Sequence, residues 1–499
     1  MNSSQDWGIA GWLLLAFYVI MTLFFVIRGA LKTKSISDYA LGNINFSPVA
    51  VGLALAASMT SAATFIINPG FIALYGISAV ISFAVVFPIA AVVSLVVLTK
   101  SFRAHGSNVK ALSLAQWMGT RYNSPGYSLF FGFLSLLLIT FIVLICVGLT
   151  KVISKTIGVS ELSVLIFIVM FIFGYMMFGG ANSMVYTNTI QAAIMIVVAV
   201  ILLTSGYDHF SSGVHGFLDK LNAIDPKLTK LTNPDSFLFR DYFEIFITQI
   251  IVGVAVVCQP HIITKSLLLK SDKGVNRYLT VAVIVELLFF AVVITGLYAR
   301  IAFPDLMVDG QALKMDGIIS AYVIYEFPVW VGLIVVLGLI SAGISTLEGL
   351  IQALATTVTN DIIKPVFKID DIKKEIKLNK LIIILLAIVS IWLSYDQLIN
   401  PKLSVAIFAQ NGVYAYFAAA FVPIVFGMFI KEMPKIIPIT ASVVAVVVHF
   451  IMYYGKLPVP LTISTGENPG VAAATAIVAS LITATVLYNV KKGSRHESV

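Results

Sequence analysis

Apolar runs of about twenty residues recur along the whole chain, and they decide its class before any motif is read. In order they cover approximately 8–28, 47–75, 77–100, 127–151, 160–178, 184–204, 243–271, 277–303, 328–360, 378–395, 403–428, 435–454 and 469–490. At about 1.5 Å of rise per residue, a helix of this length crosses the ~30 Å hydrocarbon core of a bilayer. No water is available at that depth, so each spanning segment must satisfy its own backbone groups, which leaves helices for runs of this kind. Composition agrees: of 499 residues, 59% are hydrophobic and 11% charged, with a mean hydropathy of +0.99, where a soluble domain carries roughly 25% charge. The expectation is an all-α polytopic membrane protein with about thirteen transmembrane helices. The first run is followed by Arg28, Lys32 and Lys34 without a small-residue cleavage site, so it reads as a retained helix.

An odd number of crossings puts the termini on opposite sides, and positive charge decides which is which. The loops on the side of the C-terminal tail, with cations such as Lys110, Lys265, Lys270 and Lys373, hold 22 of the 32 Lys and Arg residues. The expected localisation is a multi-pass protein of the plasma (cell inner) membrane, N-terminus outside and C-terminus cytoplasmic. The net charge of +8 is then scattered through cytoplasmic loops, and no nucleic-acid partner is implied. Cys146 and Cys258 lie inside apolar runs, so neither a disulfide framework nor a zinc site is indicated. The longest loop, about 205–241, is expected to hold a short surface helix ending near Pro226, and no extramembrane segment is long enough to fold alone. Residues 1–499 therefore read as one transmembrane domain in which function lives inside the bilayer.

Three spans are more polar or more broken than an anchor requires. The second carries Ser58, Thr60, Ser61 and Thr64 at its middle, with Gly52 before them and Pro69-Gly70 after. The seventh has Gly253 and then Gln259-Pro260-His261. Backbone groups freed by a break at bilayer depth are satisfied by a cavity, an ion or a substrate; hydroxyls that bond back to their own helix or join helices together are the alternative. The two broken spans are five apart, which suggests two inverted five-helix units, 47–204 and 243–428. An extra helix, 8–28, precedes them and two more, 435–490, follow. The ninth span groups Ser341, Gly343, Ser345 and Thr346. Small residues permit close helix approach, and hydroxyls facing free carbonyls also make an oxygen shell for a hard cation such as Na⁺.

These stretches carry a resemblance. Asp38-Tyr39-Ala40-Leu41-Gly42, the segment 57–65, Gly179-Gly180 followed by Tyr186-Thr187-Asn188-Thr189-Ile190-Gln191, Gln259-Pro260-His261-Ile262 and Ser345-Thr346-Leu347 resemble, in that order and placement, the sodium/solute symporter family. Its members include sodium/proline, sodium/pantothenate, sialic acid and sodium/glucose transporters, and the bacterial proline and pantothenate members look most similar. The resemblance implies a leucine-transporter-like fold and a sodium site between spans two and nine. Its ligands would be the carbonyls of Ala57, Thr60 and Ala342 and the hydroxyls of Ser345 and Thr346. It also implies a substrate site against the break of span two and against spans seven and eleven, at Ser61, Thr64, Gln259, Gln410 and Asn411. Packing is the alternative at each of these positions.

Departures from the family pattern refine the expectation. Tyr186-Thr187-Asn188 stands where the family often has W-T-D, so Asn188 replaces a carboxylate that some members use for a second cation, and one Na⁺ per cycle is favoured. Val252 and Val256 replace aromatic residues of proline-type members, and 127–150 contains no Arg or Lys to hold the carboxylate of a sialic acid. Two carboxylates remain at membrane depth. Glu286 is a candidate coupling residue alongside Asn188. Glu348 stands about 200° round the helix from Thr346 and is expected to face away from the sodium, towards the cytoplasmic pathway. The function expected is Na⁺-coupled uptake, by alternating access, of a small organic solute of the amino acid, sugar or monocarboxylate class, by a monomeric non-enzyme. The alternatives are a proton-coupled transporter with Glu286 as carrier, or a transporter-like membrane sensor.

Overall fold

A computed structural model describes residues 3–109, 111–269, 271–308, 310–369, 371–400 and 404–496; Lys110 and Lys270, two of the loop cations counted above, lie outside them. Among the described residues, ten helices are long and apolar enough to cross a membrane. Two bent pairs pass the same test only together, which makes up to twelve: Pro48–Met59 with Ala63–Tyr75, at 54°, and Phe243–Val256 with Pro260–Leu268, at 56°. The two breaks fall on the two spans singled out by their Gly, Pro and polar residues. Their halves are started by local chemistry. Ser47 accepts from the Ala50 amide at 3.1 Å with Pro48 in the first turn, and Pro260 opens the second half of the other pair after an extended Gln259.

The fifth and sixth expected spans form one run of helical hydrogen bonding, Glu161–Thr204, interrupted by Gly180 at φ 55, ψ −149. A straight helix of that length would be about twice the bilayer thickness, and the break divides it into two segments each long enough to span. Only glycine reaches this conformation without strain. A Cβ at Gly180 would also stand 2.6 Å from the Tyr39 carbonyl oxygen. The region is tied further by the Asn43 amide donating to Asn182 Oδ1 at 3.0 Å and by Gln352 Nε2 donating to the Ala40 carbonyl. The Asp38–Gly42 and Gly179-Gly180 motifs therefore serve one corner of the fold.

Burial sorts the spans. Within the helices Val329–Phe367 and Val405–Phe429, 72% of the most apolar window is buried, against 33% for Gly8–Ala30 and 28% for Ile372–Ile399. The peripheral helices turn residues such as Trp12, Phe17, Ile388 and Trp392 outward, as lipid-facing surfaces require. The helices Pro48–Met59 and Gln249–Val256 each meet a neighbour through glycine. A Cβ at Gly52 would stand 2.7 Å from the Tyr278 carbonyl oxygen, and one at Gly253 would stand 2.7 Å from that of Phe87. The long loop holds the expected surface helix, Gly213–Ile224. A two-stranded ribbon, Met307–Val308 with Gln311–Ala312, was not anticipated, because a pair of two-residue strands leaves no periodicity to read.

Candidate functional site

The break of the second span leaves carbonyls without helical partners, and the helix Val329–Thr357 brings hydroxyls to them. Thr60 ends the first half with extended backbone, φ −93, ψ 114. Ser345 Oγ donates to the Ala57 carbonyl at 2.6 Å and lies 3.1 Å from that of Ala342. Thr346 Oγ1 is surrounded by four carbonyl oxygens, those of Ser58 at 3.1 Å, Thr60 at 3.4 Å, Ala342 at 3.4 Å and Ala57 at 3.5 Å. A hydroxyl has one proton, so two hydroxyls cannot satisfy the lone pairs of four carbonyls that converge on them. The donor set is all oxygen, neutral and fully buried, and it suits a small hard monovalent cation. The five residues expected as sodium ligands are thus brought together, and Ser58 adds a carbonyl that the motif reading did not include.

On the other side of the same break lies a cavity of about 100 Å³. Ser61, Thr64, Gln259 and Gln410 all line it, together with Asn68, Gln249 and His261 and an aromatic wall of Phe83, Phe87, Phe141, Phe290 and Tyr414. Asn411 does not. Its amide donates to the Tyr454 hydroxyl at 3.3 Å and its oxygen meets His449 Nε2 at 3.1 Å, so the structure moves this residue from the substrate site to the contact with Ile436–Gly455. Of the two valines that replace family aromatics, Val256 lines the cavity. Gln259 Oε1, Gln249 Oε1 and both ring nitrogens of His261 are buried without a hydrogen-bond partner among the described residues. Buried polar atoms are normally paired, so these aim unused hydrogen-bonding capacity at whatever fills the cavity. Among the described residues, no Asp, Glu, Lys or Arg lines it.

Behind the oxygen cage runs a polar network that sequence reasoning placed differently. Lys265, counted above as a loop cation, is 3% exposed; it donates from Nζ to the Ala54 carbonyl at 2.9 Å and to Ser58 Oγ. A lysine flanked by Ile262-Ile263 and Leu267-Leu268-Leu269 is embedded in an apolar run, and that was the available signal. Glu348, expected to serve an aqueous pathway, is fully buried. It accepts from the Tyr175 hydroxyl and from Thr187 Oγ1 at 2.7 Å. Asn188 joins the two charges. With its amide oriented so that both ends are satisfied, Nδ2 donates to Glu348 Oε2 at 2.7 Å and to Gln191 Oε1 at 2.9 Å, and Oδ1 accepts from Ser58 Oγ at 2.9 Å and Lys265 Nζ at 3.1 Å. Glu286 stands apart, fully buried, with both carboxyl oxygens unpartnered among the described residues.

The family model described as "Sodium:solute symporter family" matches residues 39–436. The chain is similar to the sodium/pantothenate symporter of Haemophilus influenzae, 27% identical over 305 residues that cover 59% of this chain and 62% of that protein. It is also similar to the sodium/pantothenate symporter of Escherichia coli, 26% identical over 278 residues covering 54% and 56%. The matched stretch spans less than two thirds of either relative's length. Among solved structures, the substrate-bound outward-open state of a Na⁺-coupled sialic acid symporter aligns with a TM-score of 0.78 over 96% of this chain and 98% of that one, at 17% identity. That likeness gives the architecture, a leucine-transporter-like fold of two inverted five-helix units.

Proposed function

The chain belongs to the sodium:solute symporter family, and from that premise we propose that it is a sodium-coupled secondary active importer of a small organic solute. The observation that carries the reading is the convergence of Ser345 Oγ and Thr346 Oγ1 on the carbonyls of the broken span, 2.6 to 3.5 Å away. A Na⁺ held there ties Pro48–Met59 to Val329–Thr357. Because Thr60 and Ser61 are consecutive, that ion also fixes the wall of the cavity beside it. Binding energy is then shared between ion and solute, which is the thermodynamic content of coupling, and rocking of one bundle against the other exposes both sites to the opposite side.

The solute is held by hydroxyl and amide groups of Ser61, Thr64, Gln259 and Gln410, with Gln249 and His261 supplying further hydrogen bonds and the phenylalanines covering an apolar portion. A lining without formal charge favours a solute with no net charge or one whose charge is offset within the solute–sodium pair, an amino acid, sugar or monocarboxylate. One Na⁺ crossing 100 mV supplies about 2.3 kcal/mol, and a tenfold gradient about 1.4 kcal/mol more. Together these sustain roughly several-hundredfold accumulation of a neutral solute. The loop cations support a cytoplasmic C-terminus.

The test is thermal stabilisation of the detergent-purified protein by a panel of such solutes, in NaCl and in KCl, for wild type and for Ser345→Ala/Thr346→Ala. The expected result is a solute that stabilises only with Na⁺ and only in wild type. Equal stabilisation in KCl, or an unaltered double variant, would refute sodium coupling. Proton coupling would then be tested by uptake with Na⁺ replaced by choline at fixed pH.

A further inference from the structure

A cation is already built into the chain one residue away from the oxygen cage. Lys265 Nζ faces three acceptors, the Ala54 carbonyl, Ser58 Oγ and Asn188 Oδ1, which matches the three donors of an ammonium. Glu348 faces three donors, Tyr175, Thr187 and Asn188 Nδ2, as an acceptor-only carboxylate requires. The two charges do not touch. Asn188 spans them, oxygen to the ammonium and nitrogen to the carboxylate, and Ser58 joins this pair to the cage: its Oγ accepts from Lys265 and donates to Asn188 Oδ1, while its own carbonyl meets Thr346 Oγ1. Residues 58 and 188 are thus shared between a fixed cation and a site for a mobile one.

We propose that Lys265 is a tethered resident cation that neutralises Glu348 through Asn188 and so limits the neighbouring cage to a single sodium. The proposal rests on the reading that the cage binds Na⁺, and it adds what determines how many ions bind and how tightly. With Asn at 188 the network holds one ammonium and one carboxylate, and nothing in it calls for a second external cation. Removing the ammonium leaves a buried carboxylate uncompensated, which is costly in a low-dielectric interior, and Na⁺ is the available replacement. Removing the carboxylate leaves an ammonium beside the cage that opposes Na⁺. Either charge alone is a defect, while their joint loss is not.

The experiment measures equilibrium binding of ²²Na⁺ to the purified full chain without solute, alongside melting midpoints in NaCl and KCl. Wild type is expected to bind one equivalent. Lys265→Met should melt lower in KCl, be rescued by NaCl, and bind either a second equivalent or the first about tenfold tighter; Glu348→Gln should bind about tenfold more weakly, the size expected of one uncompensated charge nearby. Lys265→Met/Glu348→Gln should return to within about threefold of wild type, a reciprocal rescue that simple loss of packing does not produce. Asn188→Asp, which is isosteric, tests the same point where Lys265→Met does not fold: it should add a second equivalent. Single variants that shift affinity in the same direction, a double variant that is not restored, or an Asn188→Asp protein with wild-type binding each overturn the proposal. A wild type that binds no Na⁺ overturns the reading of the cage itself.

Discussion

Replacing Ser345 by Ala removes one hydroxyl from the cage and leaves the rest of its geometry in place. Without an ion, Ser345 Oγ donates to the Ala57 carbonyl at 2.6 Å, a neutral hydrogen bond with a net value of about 1 kcal/mol. With Na⁺ bound, the same oxygen turns a lone pair to the cation, an interaction with a charged partner that contributes roughly 1.5–3 kcal/mol. Both states lose something, and the ion-bound state additionally loses a ligand that no water replaces, because Ser345 and Thr346 are fully buried. A differential of about 2 kcal/mol corresponds to a roughly thirtyfold higher half-saturating Na⁺ concentration. Uptake at saturating Na⁺ should persist, since the cavity lining is untouched. The assay is a Na⁺ titration of uptake into proteoliposomes, with the melting midpoint in KCl as the control for folding. A Ser345→Ala protein that folds normally and keeps the wild-type Na⁺ dependence would refute the assignment of this hydroxyl as a ligand.

Four further outcomes are expected. Gln410→Leu should raise the half-saturating solute concentration by about tenfold, the loss of one hydrogen bond of roughly 1.4 kcal/mol. Asn411→Ala should leave solute affinity within about twofold and show its effect in the melting midpoint, through lost contacts with His449 and Tyr454. Gly52→Ala should destabilise the protein by about 1–3 kcal/mol, because the new methyl would stand 2.7 Å from the Tyr278 carbonyl oxygen; Gly126→Ala, with nothing within 4 Å, is the matched control. Glu286→Gln should keep Na⁺-driven uptake and a melting midpoint no lower than wild type, since it replaces a buried, unpartnered carboxyl by a neutral isostere. Wild-type uptake driven by a pH gradient alone and abolished by Glu286→Gln would make that residue a proton carrier instead.

The parts of this molecule that were legible in the sequence are those where lipid makes polarity conspicuous. Ser345 and Thr346 stand out because an apolar span has little other use for adjacent hydroxyls, and the breaks at 60–62 and 257–259 stand out because hydroxyls in one case and Gln259-Pro260 in the other interrupt long apolar runs. Rotation about a helix is not visible in the same way. Gln410 and Asn411 are equally polar and adjacent, yet successive residues point about 100° apart, so one lines the cavity and the other meets a neighbouring helix. The pairing of span ends with loops is also ambiguous at the level of a few residues. Lys265 falls where the seventh span gives way to the loop, and a charge there reads as a loop cation until the bend at Gln259-Pro260 turns the second half of the span inward, alongside Ala54 and Ser58.

That bend connects the cavity to the charge behind the cage. Pro260 supplies no amide proton, so the Val256 carbonyl loses its normal helical partner, and it accepts instead from the Gln259 amide at 3.3 Å and from Gln259 Nε2 at 3.2 Å. The Gln259 side chain is thereby held over the break, lining the cavity with Oε1 unpartnered among the described residues, while six residues on Lys265 reaches Ser58 behind the cage. In the second span, the consecutive residues Thr60 and Ser61 divide in the same manner, one to the cage and one to the cavity. Each broken helix therefore presents one group to the cavity and another to the oxygen cage or its neighbouring charge. A change of conformation that moves either half-helix cannot alter the cavity without altering the cage. Strict coupling requires that linkage, and two intact helices with the same side chains on independent faces would not supply it.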